Sequence, residues 1–248
     1  MKYKFPSLSA ELKLMKEKPL PYLYEINLHK TKVLIFGLRH TQNPNHTQFE
    51  LITKKIRDFS PEKVLFEFPD SAQNLFYSKD KEKAIKRIGE IRIISDILPK
   101  KVKRIPADNP QKTLLNSGLG NSEDIEILEV LIKSSLICKR EGIPIKEFIQ
   151  EELKKRNKLA LFNKTSNYVK KLTGMNLDSV KDAQKIMPTP IDKYCRLNDI
   201  MRKFSLKRDE GMINRLIEEL KTSKRIIFFV GRNHALRWEK ILRNLSKE

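Results

Sequence analysis

The stretch Lys32-Val33-Leu34-Ile35-Phe36-Gly37 decides the fold. Its apolar residues are continuous rather than alternating, a pattern typical of a strand that is buried on both faces of a parallel sheet. Residues 64–68 and 225–231 repeat this pattern, and residues 102–108 form a shorter version of it. The sequence therefore predicts an α/β fold with a mostly parallel central sheet flanked by helices.

A helix is predicted between the first two of these strands. Apolar residues recur there at helical spacing, at Phe49, Ile52, Ile56 and Phe59. Thr47, with Glu50 three residues later, matches a capping box at its start, and Ser60-Pro61 marks its end. A strand-helix-strand unit of this kind predicts two parallel strands joined by a right-handed crossover.

The sequence predicts that the whole chain divides into three parts. Residues 1–121 supply the first part of the α/β core, with a helix near 8–16, a strand at 20–28, a helical stretch at 81–98 and a loop at 109–121. Residues 122–200 contain no strand-like run and predict a helical insertion or cap, with a break at Pro188 and Pro190. Residues 201–248 resume the core with a helix, the strand 225–231 and a last helix at 236–245.

The protein is strongly basic, with a formal net charge of +20 from 51 Lys and Arg against 31 Asp and Glu. One interpretation is a nucleic-acid partner, because basic side chains that neutralise phosphates release bound counterions. The other is a solvated surface without such a partner. The basic residues are spread along the chain among acidic ones, and few aromatic residues accompany them, which favours the second interpretation.

Membrane insertion and secretion are not predicted. No apolar run approaches the ~20 residues that span a bilayer. The amino-terminal residues lack the apolar core of a signal peptide, so a cytoplasmic location is expected. Cys138 and Cys195 lie far apart and form no Cys-x-x-Cys pair, which argues against a disulfide framework or a cysteine zinc site.

Four ionisable residues stand at the ends of the predicted strands, namely His40, Glu67, Asp108 and His234. Because ligands bind at the carboxyl ends of the strands in an open parallel sheet, we expect these side chains at one edge. The histidines belong to two Gly-x-x-His motifs, at 37–40 and 231–234, where an imidazole can bind a metal or transfer a proton. In each motif the glycine allows an unusual backbone conformation or a close approach of the backbone.

Glu67 interrupts an apolar run, where a buried carboxylate is unfavourable unless it is paired. Its partners are expected to be the two histidines, a cation between them, or an arginine. A structural ion pair with Arg208 or Arg39 is as consistent with the sequence as a catalytic role. A single shared site nonetheless explains His40, Glu67 and His234 together.

Other residues near the strand ends have local structural interpretations. Asp108, which precedes Asn109-Pro110, suits a turn. His46 is assigned only to capping the helix that follows it, and His29 to a hairpin turn.

The quoted residues resemble the Tiki/TraB superfamily, which includes ChaN-like and erythromycin-esterase-like branches. The resemblance rests on the two Gly-x-x-His motifs, on Glu67, and on Arg208-Asp209, which is placed at the start of the helix before the last strand. It covers residues 30–110 and 205–240. It implies a sheet core with a helical insertion, a site of His40, Glu67, Arg208 and His234, and Glu90 as a further acidic position.

The expected function is hydrolysis of an ester, a peptide or another anionic substrate, either a small molecule or a peptide. His40, Glu67 and His234 are expected to bind Mn²⁺, Co²⁺ or Zn²⁺, or to activate water directly. Arg208 is expected to orient Glu67 or to stabilise developing negative charge. The weaker candidates for substrate binding are Arg39, Arg232, Glu90 and Asp108.

Two other functions stay open at this point. One is a binding module without turnover that holds haem or a signalling peptide. The other is a protein that acts on nucleic acid, motivated by the net charge.

Overall fold

The computed structural model describes residues 3–108, 122–186 and 196–247. The chain divides into two compact units, residues 1–110 with 208–248, and residues 111–207. The predicted loop at 109–121, the predicted break at Pro188 and Pro190, and Cys195 lie outside the described residues. The boundaries predicted after residues 121 and 200, between the α/β core and the helical insertion, stay predictions.

The first unit contains a five-stranded sheet. Its strands are β1 (Tyr22–Leu28), β2 (Thr31–Leu38), β3 (Lys63–Phe66), β4 (Lys103–Pro106) and β5 (Arg225–Gly231), in the spatial order β1-β2-β5-β3-β4. The edge strand β1 is antiparallel to β2, and the other four strands are parallel. This confirms the predicted α/β class with a mostly parallel sheet. The strands β2 and β3 are parallel as predicted, but β5 lies between them.

Helices pack on both faces of this sheet. The unit contains α1 (Leu8–Glu17), α2 (Gln48–Phe59), α3 (Lys81–Ile88), α4 (Glu90–Ile97), a 3-10 helix (Asp70–Tyr77) and the last helix of the chain, Arg232–Leu245. Alternate residues of each central strand enter opposite cores, so that Ile35 packs with Trp238 whereas Phe36 packs with Ile52. The residues 33–36 are fully buried, which accounts for the continuous apolar run.

All the described secondary-structure elements of the second unit are helices. It contains α5 (Ser122–Glu141), α6 (Ile145–Lys155), α7 (Phe162–Thr173), three short 3-10 helices (Leu159–Leu161, Leu177–Ser179, Ala183–Ile186) and the first part of α8 (Arg196–Leu220). These elements share a core that includes Ile127, Leu131, Ile149 and Val169. The rest of α8 belongs to the first unit, and the helix Arg232–Leu245 is hereafter α9. None of the described helices is long and apolar enough to cross a membrane.

The predicted capping box at the start of α2 is wrong. Thr47 already has helical backbone angles, and its side chain accepts no capping hydrogen bond. Instead, Nδ1 of His46 accepts a hydrogen bond from the backbone N–H of Gln48, at 3.1 Å. The capping group is therefore displaced by one residue, and the role assigned to His46 is confirmed.

Several predicted element boundaries also change. The helical stretch at 81–98 is divided at Gly89, whose φ of 52° ends α3 and starts α4 at Glu90. The strand predicted at 64–68 ends at Phe66, so Glu67 follows it. The last helix starts at Arg232 rather than at 236, which puts His234 in its first turn.

The glycine of the first Gly-x-x-His motif is required by close packing. A Cβ at Gly37 would lie 2.9 Å from the carbonyl oxygen of Tyr22 and 3.0 Å from both the Cα of Arg232 and the Cβ of Ala235. Two of these contacts are backbone atoms of neighbouring elements, which have little freedom to move. Close approach, rather than an unusual backbone angle, therefore accounts for this glycine.

We predict that Gly37→Ala lowers the free energy of unfolding by about 1–3 kcal/mol, because the added methyl group overpacks this contact. The matched control is Gly211→Ala, since a Cβ at this exposed position of α8 meets no atom within 4 Å. The control should be neutral or stabilising by up to about 1 kcal/mol, because alanine favours helix more than glycine does. Urea unfolding of the three proteins measures both effects, and equal stability of the two variants would contradict this account.

Candidate functional site

The two Gly-x-x-His motifs lie side by side at the carboxyl edge of the sheet. In the parallel pair β2 and β5, Leu38 lies opposite Gly231. His40 and His234 therefore follow neighbouring strands. Glu67 follows β3, which is the neighbour of β5 on its other side. The strand order thus brings all three side chains to the end of β5.

Gly231 is the centre of this arrangement. A Cβ at this residue would lie 3.0 Å from Nε2 of His40, 3.3 Å from Oε2 of Glu67 and 3.6 Å from Cδ2 of His234. The three predicted site residues therefore border the space beside the Cα of Gly231, which we call the Gly231 point. The φ of Gly231 is −60°, so the glycine leaves space at this point rather than relieving backbone strain.

His40 is held by a buried carboxylate. Its Nδ1 lies 2.6 Å from Oε1 of Glu90, and the backbone N–H of Thr41 donates to Oε2 of the same carboxylate. The Glu90 side chain is 6% exposed, whereas the imidazole is 70% exposed. Because a carboxylate only accepts, Nδ1 carries the proton in the neutral tautomer and Nε2 presents its lone pair. The hydrogen bond to Glu90 also raises the pKa of His40.

Glu67 is a buried carboxylate whose two oxygens both accept hydrogen bonds from protein groups. Its Oε1 accepts hydrogen bonds from Nη2 of Arg208 at 2.8 Å and from Nε2 of His234 at 3.0 Å. Its Oε2 accepts the backbone N–H of Gly231 at 2.7 Å. Burial alone would raise the pKa of Glu67, but the positive charges of His234 and Arg208 outweigh it and hold the pKa well below its usual range. The arginine partner is Arg208 and not Arg39.

His234 is enclosed by two carboxylates. Its Nδ1 lies 2.5 Å from Oδ1 of Asp209, while its Nε2 faces Glu67. Both ring nitrogens therefore donate, and the ring is an imidazolium. Burial would lower the pKa of His234, but the charges of Glu67 and Asp209 raise it to about 9.

Arg208 joins Glu67 to Asp108. Its Nε and Nη2 donate to the carboxylate of Asp108, the shorter contact being 2.5 Å. Asp108 is buried, and the turn predicted at Asn109-Pro110 lies outside the described residues. Arg208 and Asp209 lie well within α8, not at its start as expected. Glu90 and Asp108 were both predicted to contact substrate; in the structure their carboxylates bind protein groups.

Four further residues complete the site. Sequence reasoning named Asp209 only as part of the resemblance, and it gave Arg237, Trp238 and Glu11 no role. Oδ2 of Asp209 accepts Nε of Arg237 at 2.6 Å, Oδ1 accepts Nε1 of Trp238 at 2.6 Å, and Nη1 of Arg237 donates to Glu11 at 2.7 Å. Arg237 and Trp238 follow His234 by three and four residues on α9, a spacing that places them on one helix face. That spacing is the signal that could have found them.

These contacts form a linear series of charged side chains that alternate in sign. We call it the charge chain, and its members in order are Asp108, Arg208, Glu67, His234, Asp209, Arg237 and Glu11. Every member is largely or fully buried, and each cation lies between two carboxylates.

The expected metal does not fit these side chains as they lie. Imidazole and carboxylate are suitable donors for Mn²⁺, Co²⁺ or Zn²⁺. However, both nitrogens of His234 and both oxygens of Glu67 already bind protein groups, and Arg208 neutralises Glu67 directly. Within the described ranges, no three His, Cys, Asp or Glu residues are grouped to hold a metal ion. Metal and haem binding stay predictions.

The two Gly-x-x-His motifs each contain an arginine, Arg39 and Arg232. Arg39 is exposed and Arg232 is partly exposed at the first position of α9. Neither guanidinium forms an ion pair with the residues that the structure describes. Both therefore remain available for a negatively charged group.

Comparison of the chain with protein-family models, with curated proteins and with solved structures finds no match. The resemblance to the Tiki/TraB superfamily therefore stays a prediction. Function has to be inferred from the geometry of the site itself.

We predict that His234 makes stability depend on pH above neutrality. Because its pKa is raised from 6.5 to about 9 in the folded protein, its stabilising contribution is fully present below about pH 6.5 and is lost as pH rises through about 9. Denaturant unfolding over this range should show a fall in wild-type stability that His234→Gln lacks. The control is His29→Asn, at an exposed hairpin residue with positive φ, which should keep the wild-type fall; an identical slope in His234→Gln would contradict the assignment.

Proposed function

We propose that this protein is a hydrolase in which His40 acts as general base toward a water molecule at the Gly231 point. The observation that carries this proposal is the orientation of His40. Glu90 holds Nδ1, while Nε2 faces the space above Gly231 and makes no hydrogen bond to the described residues. A neutral imidazole held by a carboxylate, with its second nitrogen open, is the arrangement that general base catalysis requires.

Glu67 is suited to orient the same water. Its Oε2 borders the Gly231 point, as Nε2 of His40 does, and the charge of Glu67 is maintained by Arg208 and His234. A water there would donate one hydrogen bond to His40 and one to Glu67, leaving an oxygen lone pair for attack. The proton would pass to Nε2 of His40 as the water oxygen bonds to the carbonyl carbon and the π electrons of the C=O bond move to its oxygen. When this tetrahedral adduct collapses, the bond from the carbonyl carbon to the ester oxygen or amide nitrogen would break, and this leaving atom would take the proton from His40.

The substrate is proposed to be an ester or amide that carries a negatively charged group. The support for this is the pair Arg39 and Arg232, which precede the motif histidines His40 and His234 by one and two residues. Their guanidinium groups form no ion pair with a carboxylate of the described residues. A guanidinium binds carboxylate or phosphate oxygens in a planar, bidentate manner. Bound in this way, the anionic group would hold the substrate with its carbonyl carbon next to the water at the Gly231 point.

We predict that His40→Gln lowers hydrolysis by about 10²–10⁴-fold, the usual contribution of a general base. Glu90→Gln should also lower the rate, and it should move the rise of kcat/KM with pH to lower pH, because the Glu90 hydrogen bond raises the pKa of His40. A panel of anionic esters, peptides and phosphodiesters identifies the substrate class. His29→Asn serves as the control for loss of an imidazole elsewhere, and equal turnover by wild type and His40→Gln on every substrate would reject the proposal.

A row of basic residues favours nucleic-acid binding as a second candidate function. At the amino edge of the sheet, the four parallel strands carry Lys32, Arg225, Lys63 and Lys103 in spatial order. Lys32 and Lys63 pair with Glu25 and Glu219, whereas Arg225 and Lys103 form no ion pair with described residues.

A groove of about 570 Å³ adjoins this row. Its charged lining residues are Arg57, Lys101, Arg225 and one acid, Glu62, beside apolar side chains such as Ile56. Some of the basic residues that are dispersed along the sequence therefore lie close together at the amino edge of the sheet, opposite the edge that carries the Gly231 point. Such a cluster is the usual footprint of phosphate binding.

We predict that replacing Lys101, Lys103 and Arg225 with Gln weakens the binding of a labelled single-stranded DNA. The slope of log affinity against log salt should fall by about 2, since each neutralised phosphate contributes about 0.7. Fluorescence polarisation measures both quantities. A variant with the same charge change in the helical unit, at Lys154, Lys170 and Lys171, is the control; equal weakening in the two variants, or no wild-type binding at physiological salt, would exclude this function.

A further inference from the structure

We infer that Glu11, on the amino-terminal helix α1, is a positioning residue of the candidate site that acts on His234 through Arg237 and Asp209. The inference deepens the proposed function, because it adds a remote residue to the groups that keep Glu67 and His234 in place. It can nevertheless be tested without any activity measurement.

The burial pattern of α1 is the first observation. Glu11 is the one residue of this helix that is fully buried, with 0% exposure, while Leu14 and Met15 are only partly buried against the core. A surface helix normally buries an apolar stripe, and a buried carboxylate is unfavourable unless it is paired. The most buried side chain of α1 is therefore committed to an ion pair rather than to packing.

The contacts of Glu11 lead directly to the site. Its Oε1 accepts Nη1 of Arg237 at 2.7 Å, Nε of Arg237 donates to Oδ2 of Asp209 at 2.6 Å, and Oδ1 of Asp209 lies 2.5 Å from Nδ1 of His234. Arg237 and Asp209 are 2% and 0% exposed. Only two side chains separate Glu11 from His234, and water has almost no access to either.

The planar guanidinium of Arg237 explains how this influence is transmitted. Its donors have a fixed fork geometry, so anchoring Nη1 on Glu11 also sets the direction of Nε toward Asp209. Nη2 of Arg237 lies only 3.0 Å from Nδ1 of His234, and both atoms are donors. Without the Glu11 carboxylate, Nη1 of Arg237 would lose this anchor, and the guanidinium would compete more strongly with His234 for Asp209.

The hydrogen bond between His234 and Asp209 is the contact that Glu11 is expected to support. Loss of the Glu11 charge should weaken the hydrogen bond between Nδ1 of His234 and Asp209, and thereby loosen the contact of His234 with Glu67. Because Glu11 does not reach the Gly231 point, the change should affect turnover through geometry rather than through substrate contact.

The test compares Glu11→Gln, Glu11→Asp and Glu17→Gln in the full chain by NMR of the histidine ring protons. In the wild type, the Nδ1 proton of His234 should resonate far downfield because of its hydrogen bond to Asp209. Glu11→Gln should shift it upfield and lower kcat about tenfold with KM unchanged, an effect of the size found for outer-shell partners. Glu11→Asp should restore part of both.

Glu17→Gln is the control, because Glu17 is exposed on the same helix and its one ion pair among the described residues is with Lys13, at 3.8 Å. It should leave the His234 resonance and turnover unchanged. A folded Glu11→Gln variant with the wild-type His234 resonance would overturn the inference. If Glu11→Gln does not fold, Glu11→Asp decides: a partial upfield shift supports the inference and an unchanged resonance overturns it. Absence of hydrolysis in the wild type would reject the proposed function but leave the NMR result decisive here.

Discussion

The buried carboxylate of Glu67 is the constraint on which the site depends. It lies at the end of a central strand, where an unpaired charge would be strongly unfavourable. Arg208 and His234 neutralise it, but each of these cations is buried in turn and needs a second carboxylate, Asp108 or Asp209. Asp209 then requires Arg237, and the series ends at Glu11. The charge chain thereby holds together five parts of the fold, namely α1, α8, α9 and the residues that follow β3 and β4. Removal of any inner member of the charge chain would leave a buried charge unpaired, which would lower the free energy of unfolding by about 3–5 kcal/mol.

The sheet and the edge that carries the site could be predicted because burial leaves a local pattern in the sequence. The runs at 32–37 and 225–231 are continuous because β2 and β5 are covered on both faces, and the residues after parallel strands must share an edge. His40, Glu67, Asp108 and His234 were placed together on that basis. The position of β5 between β2 and β3 has no local signal, since strand order depends on the packing of segments that are distant in sequence.

The partners of the site residues were harder to predict for two physical reasons. Glu11 lies among charged residues in a short helix, and its local sequence does not distinguish a buried acid from an exposed one. Glu90 depends on backbone geometry, because the positive φ of Gly89 ends one helix and starts another. At the first position of α4 an acidic side chain is favoured by the helix dipole, and from there its carboxylate reaches His40. The apolar periodicity of 81–98 did not reveal that break.

The two motif histidines, which look equivalent in sequence, differ in the number of carboxylates that they face. His40 faces one, through Nδ1, and its mostly exposed ring keeps Nε2 open. His234 faces two in a buried setting, so both of its nitrogens are committed as donors. Only a ring with an open nitrogen can accept a proton, whereas a ring that is charged at neutral pH can keep a neighbouring carboxylate ionised. The same motif thus gives one histidine suited to proton transfer and one suited to electrostatic support, and a divalent cation at the Gly231 point would have to displace both the Nε2 proton of His234 and the guanidinium of Arg208 to use the same ligands.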